Sequence, residues 1–330
     1  MNRNYYSVFG PYITQFIELK NSLGYKYKDV GCALSSFDRM ALEKNASEIA
    51  ITKELADEWC IKRPNESDKT RYNRIQNLSQ FVQFLCDLGF RPYIPKLPKV
   101  KSTYTPYIFS KDEIMAIFKV CDKLAPSSRN HNSSVFAIPV LIRLLYGTGI
   151  RISEALYLSC SDINLHDKYL TLRNCKNGKD RMVPVSDSLA HACEEYMKYR
   201  NLTPSIKKEN RLFINLAGSV LSLYTAYKWF RKIIYTANIS HGGRGHGPRL
   251  HDLRHTFSVH SLVTMSESGL DLYYSLPILS TYLGHQSLDA TDGYVRLTAE
   301  MYPGLIKKSS DICSSVFPVI DTNTDDDETN

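Results

Sequence analysis

The chain has 330 residues, 43% hydrophobic and 23% charged, the make-up of a globular protein large enough for two cores. It has no apolar run of about 18 residues, no apolar leader after Met1, and no C-x-x-C pair among its eight cysteines; this argues against a membrane span, secretion, a zinc site or a disulfide framework, and for a cytoplasmic protein. The net charge is +7, but five acidic residues crowd the last ten positions, so residues 1–320 carry +12, a balance that favours an anionic partner such as nucleic acid.

Residues 1–90 read as four short amphipathic helices around a small common core. Pro11 suits a first helical turn, Ile13, Phe16, Ile17 and Leu23 follow on one face, and Gly24 stops the helix. Val30, Leu34, Phe37 and Ala41 make the second stripe. Thr52 is placed to cap a third helix reaching Cys60, with Pro64 beyond it. The fourth and longest runs from Ser67 to Leu88, carries Tyr72, Ile75, Leu78, Val82 and Leu85 at threes and fours, and is closed by Gly89. Lys69, Arg71 and Arg74 lie near its start, where they either grip phosphates along a groove or form a solvated face. Residues 91–108 read as a basic, proline-rich linker. Its Lys99 and Lys101 fit a DNA-backbone crossing or an exposed tether.

Residues 109–308 read as a second domain. Ser110 and Glu113 form a capping box for a helix to about Leu124. The apolar run Val135–Tyr146 reads as a buried helix ended by Gly147 and Gly149. Arg151 starts the next helix; an arginine between apolar helices needs an anion, and Glu154 is close enough in sequence to be its partner or its positioner. Tyr169–Arg173 and Arg181–Val185 read as a hairpin around Asn177-Gly178, with Lys176 and Lys179 in the loop, either solvated or delivering an ammonium group to a site built elsewhere. A helix at Ser188–Arg200, a strand at Leu212–Ile214 and a helix at Leu223–Ala237 follow. The glycine-rich loop Ser240–Arg249 lacks the Gly-Lys-Ser/Thr ending of a nucleotide-binding loop. His251 and Arg254 then fall one turn apart on a helix, followed by His285 and Tyr294; His255 and His260 read as structural. No His-Glu-x-x-His spacing occurs, so no metal is expected. Gly293, just before Tyr294, points to a loosened helix or a turn.

Four boxes, Thr148–Glu154, Lys176–Pro184, His251–Phe257 and Leu283–Ser287 with Thr291, Tyr294 and Val295, resemble in content and order the tyrosine recombinases, the phage-integrase and site-specific recombinase family. The first ninety residues resemble the family's core-binding domain less specifically. The resemblance implies a mainly α fold with a small antiparallel β-sheet: a helical core-binding domain and a mixed α/β catalytic domain. It implies that Tyr294 is a nucleophile forming a 3′-phosphotyrosine link to DNA, that Arg151 and Arg254 clamp the phosphate, and that His251 and His285 supply hydrogen bonds and handle protons. Lys176 would protonate the leaving 5′ oxygen, with Lys179 as the alternative; aligning on Arg181–Pro184 favours Lys176. Glu154 would organise the side chains around it. Implied DNA contacts are Lys69, Arg71, Arg74, Lys99, Lys101 and Lys179. Implied partners are double-stranded DNA with inverted-repeat core sites and a homo-tetramer on two such sites, assembled from monomers; no cofactor is implied. A type IB topoisomerase shares this chemistry, and a non-catalytic DNA-binding protein would share the fold. The 31-residue gap from Arg254 to His285 exceeds the family's usual spacing, and the extra length is expected as a loop at Ser266–Ser275. After Tyr294 the helix is expected to finish by Ile306. The tail, residues 309–330, holds an apolar group (Ile312, Val316, Phe317, Val319, Ile320) that docks on a neighbouring subunit or folds back, and a disordered acidic end.

Overall fold

The computed structural model describes residues 4–302 except 26, 101–104, 126–132, 174–177, 179, 203–209, 244–246, 286 and 288. The chain forms two compact units that divide between residues 104 and 105. No helix among the described residues is long and apolar enough to cross a membrane.

The first unit holds α1 (Gly10–Ser22), α2 (Lys28–Glu43), α3 (Lys53–Cys60) and α4 (Asp68–Asp87). The Thr52 and Ser67 side chains accept the Leu55 and Thr70 amides, so the expected Thr52 cap forms and Ser67, expected as the first residue of its helix, caps it instead, each contributing about 1 kcal/mol. The core is strongly aromatic. Phe9, Phe16, Phe37, Trp59 and Phe81 are almost fully buried, and Phe37 meets Trp59 edge-on at 5.4 Å. Each such ring stabilises the fold by about 1.5–3 kcal/mol through burial.

Arg74 overturns an expectation. Neither a phosphate contact nor a solvated face, it is 7% exposed and turned inward. Its Nε and Nη2 donate to the two Glu66 carboxylate oxygens, both at 2.8 Å; its remaining donors reach the Trp59 and Ile61 carbonyls. The arginine holds Glu66 down to about 2, against the opposing effect of burial. Arg71 Nε also donates to the Cys60 carbonyl, at 2.8 Å. These two arginines therefore fasten the segment between α3 and α4, whose fold-back helical spacing does not reveal. Lys69 and Lys99 are exposed; Lys101 lies outside the described residues.

The second unit runs α5 (Lys111–Asp122), α6 (Ile138–Thr148), α7 (Ile152–Tyr157), β1 (Ile163–Asn164), β2 (Tyr169–Leu172), β3 (Arg181–Pro184), α8 (Asp187–Asn201), α9 (Leu223–Thr236), α10 (Asp252–Glu267), α11 (Leu272–Leu283) and α12 (Asp289–Met301). The capping box at Ser110 and Glu113 forms in full. The three strands make one antiparallel sheet in the order β1-β2-β3, with Leu170 opposite Val183 and Leu172 opposite Arg181. Leu170, Leu172 and Val183 bury one face, the alternation a half-covered strand requires. The short β1 goes beyond the expected hairpin, and Leu212–Ile214 makes only isolated bridges rather than a strand. α6 is apolar on nearly every face and lies in the main core with Phe109, Phe213 and Phe230. A smaller core joins α10, α11 and α12 through Val259, Leu262, Val263, Leu279, Leu283 and Tyr294.

The expected loop at Ser266–Ser275 is mostly helix. α10 continues to Glu267 and α11 begins at Leu272, leaving a turn at Gly269, whose φ is +87°. The long spacing between Arg254 and His285 is thus carried by two long helices packed antiparallel enough to return His285 to α10. Gly293 lies inside α12 rather than in a turn. α12 ends at Met301, short of Ile306, and residues 303–330, including the apolar docking group, lie outside the described residues.

Candidate active site

The site begins where α6 ends. Gly149 takes the left-handed conformation, φ +60°, and an added Cβ would sit 2.2 Å from the Phe257 ring. The turn delivers Arg151 to the start of α7. There Glu154 accepts the Arg151 backbone N–H at 2.8 Å and its Nη1 at 2.9 Å. The same carboxylate holds Arg181 of β3, with Nη2 at 2.9 Å and Nη1 at 3.2 Å. Glu154 is thus a shared clamp that orders two arginines from different elements. Its side chain is 9% exposed. Burial pushes its carboxyl up, but the Arg181 and Arg151 bonds outweigh this and leave it below the ordinary value. Arg181 also sits under the turn after α11, where a Cβ on Gly284 would meet its Nη1 at 2.9 Å.

Arg254 is 3% exposed and fixed by the backbone of two other elements. Nη1 donates to the Gly149 carbonyl at 2.7 Å and Nη2 to the Leu283 carbonyl at 2.9 Å. Nη2 also lies 3.0 Å from His285 Nε2. Because an arginine can only donate, that imidazole nitrogen accepts, and the His285 Nδ1–H donates to Thr291 Oγ1 at 2.7 Å. Thr291 is fully buried on α12, three residues before Tyr294. Tyr294 is 6% exposed, and its ring lies 6.3 Å from His285. Its hydroxyl is 2.9 Å from His255 Nδ1. His251, at the start of α10, packs edge-on against His255 at 4.9 Å.

Arg151, Glu154, His251, Arg254, His285 and Tyr294 are therefore brought together from α7, α10, the α11–α12 turn and α12. Lys176 and Lys179 lie outside the described residues. Two neighbours were not among the site residues read from sequence: Arg181, used there only to align the hairpin, and His255, read as structural. The His251–His255 spacing of four places both on one helical face and was the available signal for the second. Nothing local announces that Arg181 meets Glu154.

The charge balance suits an anion. Burial, then repulsion from Arg151, holds Arg254 down to about 10, still charged at neutral pH. Burial and neighbouring arginines push His285 down to about 4 and lower His251. Burial, with repulsion from His251, Arg254 and His285, pushes His255 down to about 4. The three imidazoles are thus neutral at pH 7, and the three arginines are set against one carboxylate, which bonds Arg151 and Arg181 only. Burial raises the Tyr294 phenol above its ordinary value, against the pull of Arg254, Ser258 and Arg151. Among the described residues, no group of three or more His, Cys, Asp or Glu is placed to hold a metal ion.

The sequence model of the phage integrase family matches residues 108–301. The tyrosine recombinase XerD of Oceanobacillus iheyensis is 30% identical over 247 residues, 73% of this chain and 75% of that protein. The site-specific recombinase XerH, solved bound to palindromic difH substrate in a post-cleavage complex, has the same fold: TM-score 0.63 at 21% identity, covering 91% of this chain and 83% of XerH. So does the Tn1549 transposon integrase, solved as residues 82–397 with transposon right-end DNA: TM-score 0.63 at 17% identity, covering 88% of this chain and 98% of that fragment. With the family's match extending over more than half of its length, the chain belongs to the phage integrase family, the tyrosine recombinases.

Proposed function

We propose that this protein is a site-specific DNA recombinase that cleaves and rejoins DNA through a covalent bond to Tyr294. The observation that carries the reading is the Tyr294 phenol, buried beside Arg254 and His285 in a cluster whose net charge is positive. A phosphodiester has an anionic pair of non-bridging oxygens, and planar guanidinium donors match them. Arg254 and Arg151 clamp those oxygens, and because backbone carbonyls and Glu154 already hold them, little reorganisation is needed as charge builds at the phosphorus. His251 adds a hydrogen bond to the same oxygens, and His285 acts through Arg254, accepting from its Nη2 and fixing the guanidinium.

The Tyr294 oxygen attacks the phosphorus in line with the leaving 5′ oxygen, giving a 3′-phosphotyrosine and a free 5′-hydroxyl. Lys176, in the loop between β2 and β3, protonates the leaving oxygen; Lys179 is its alternative. Arg181, at the end of that loop, ties it to Glu154. The phosphotyrosine keeps the energy of the broken bond, so no ATP is required, and the arginines supply the positive charge that a metal would otherwise bring to the phosphate. A 5′-hydroxyl from a second duplex then attacks it, completing strand exchange.

Lys69, Arg71, Lys99, Lys101 and Lys179 hold the backbone. The palindromic difH substrate of the XerH complex is in keeping with inverted-repeat sites for this protein. On two such sites it would act as a homo-tetramer assembled from monomers.

Strand exchange between two labelled duplexes tests the reading directly. Each duplex carries an inverted repeat around a short spacer taken from a search of the DNA flanking the gene, in EDTA and without nucleotide. Recombinant strands are expected, and a supercoiled plasmid without the repeats stays supercoiled. Efficient multi-turnover relaxation of that plasmid would favour a type IB topoisomerase, and binding without any strand cleavage would favour an accessory DNA-binding protein.

A further inference from the structure

The hydroxyl of Tyr294 bonds neither His251 nor His285, the two histidines to which the resemblance assigns proton handling. It lies 2.9 Å from His255 Nδ1, and the two rings are 5.6 Å apart. His255 sits one turn after His251 on α10, and the His251 ring packs against its edge rather than between it and the phenol. Arg254 and Ser258 are the other polar neighbours of the phenol oxygen, and a guanidinium can only donate. In the tautomer that carries its proton on Nε2, His255 offers the Nδ1 lone pair to the Tyr294 proton within transfer distance.

We propose that His255 is a catalytic residue, the general base that takes the Tyr294 proton in cleavage and the acid that returns it in rejoining; this rests on Tyr294 being the nucleophile. In cleavage the Tyr294 O–H bond breaks, its proton moves onto the lone pair of His255 Nδ1, and the oxygen's electron pair forms the bond to phosphorus. The bond from phosphorus to the 5′ oxygen breaks, and that oxygen leaves with the electron pair and a proton from the hairpin lysine. In rejoining, the incoming 5′-hydroxyl gives its proton to the lysine and attacks phosphorus. The phenolate departs and recovers its proton from His255.

The surroundings link this base to substrate. Facing His255 are His251 and Arg254 on α10, His285 after α11 and Tyr294 on α12; Arg151 and Glu154 on α7 and Arg181 on β3 complete the charge cluster behind them. Burial comes first in weakening His255 as a base, and repulsion from its cationic or titratable neighbours adds to it. A phosphate anion between the arginines cancels part of that repulsion. The base therefore strengthens when the scissile phosphate is in place, and the nucleophile stays protonated when it is not.

The test is single-turnover adduct formation on a nicked suicide duplex, read against pH, with His255→Asn. The asparagine oxygen can accept the phenol's hydrogen bond in place of Nδ1, yet it cannot hold a proton. Wild type should give a rate nearly independent of pH between about 6 and 9. His255→Asn should bind duplex with wild-type affinity, cleave on the order of 10²–10⁴-fold more slowly at neutral pH, and gain about tenfold per pH unit as hydroxide replaces the base. His255→Gln, which sets the amide oxygen one methylene further out, is run alongside and should show the same slope. A His255→Asn rate within about threefold of wild type with a flat profile overturns the proposal. So does a pH slope that develops in His251→Asn and not in either His255 variant. If wild type itself forms no adduct, the Tyr294 reading falls first, and the two failures remain distinguishable.

Discussion

Arg254→Lys is expected to slow DNA cleavage by about 10³-fold or more while weakening duplex binding by less than about tenfold. The guanidinium is nearly buried and spans three partners from two other elements: the Gly149 carbonyl, the Leu283 carbonyl and His285 Nε2. A lysine ammonium is a single point donor and cannot hold both carbonyls and His285 while also donating to phosphate. One or more of those carbonyls then loses its partner in a buried place, and His285 loses the donor that fixes its orientation. Affinity changes less because many other basic residues hold the backbone. Single-turnover adduct formation and equilibrium binding to the same duplex check this together. Equal losses in rate and affinity would mean that Arg254 serves binding rather than the transition state.

Gly149→Ala should be the most destabilising small substitution in the second unit, costing about 3 kcal/mol or more. Two effects add. The residue has φ +60°, where an L side chain costs about 1–2 kcal/mol, and the new Cβ would lie 2.2 Å from Phe257 Cδ1. Phe257 cannot swing aside freely because it stacks on Tyr282 at 5.5 Å. The adjustment must move the turn, and with it the carbonyl that holds Arg254. Gly269→Ala is the matched control: its φ is +87°, but nothing lies within 4 Å of the added carbon. It should lose only the conformational part, about 1 kcal/mol. Melting temperatures should fall in the order wild type, Gly269→Ala, Gly149→Ala, with cleavage impaired only in the last. Equal shifts for the two variants would remove the contact with Phe257 from the explanation.

The parts of the fold legible from sequence were those decided within a few residues. The Thr52 and Ser110 caps reach amides three residues on, so Ser/Thr before an apolar stripe announces them. The hairpin strands carry their own alternation. The site was legible through its boxes, because Arg151–Glu154 and His251–Arg254 are each built by a single turn of helix. What sequence spacing did not carry was set by packing over distance. Arg181 meets Glu154 across 27 residues, and His255 meets Tyr294 across 39. Arg74 stands at a helical position compatible with solvent, and only the return of the segment before α4 buries it against Glu66 and Trp59. The gap after Arg254 misled for a related reason: polar residues and Gly269 suit a loop, but the two helices close over it because Val259, Val263, Leu279 and Leu283 share a core.

The central claim is that Tyr294 forms the covalent bond to DNA, and proteolysis of the trapped protein–DNA adduct tests it most directly. Wild-type protein is incubated with a nicked duplex that traps the cleaved strand, digested, and its peptides weighed by mass spectrometry. The nucleotide mass should be on the peptide carrying Tyr294, and Tyr294→Phe should retain its grip on duplex DNA and form no adduct. An adduct formed by Tyr294→Phe, or a nucleotide found on any other residue of the wild type, would contradict the account.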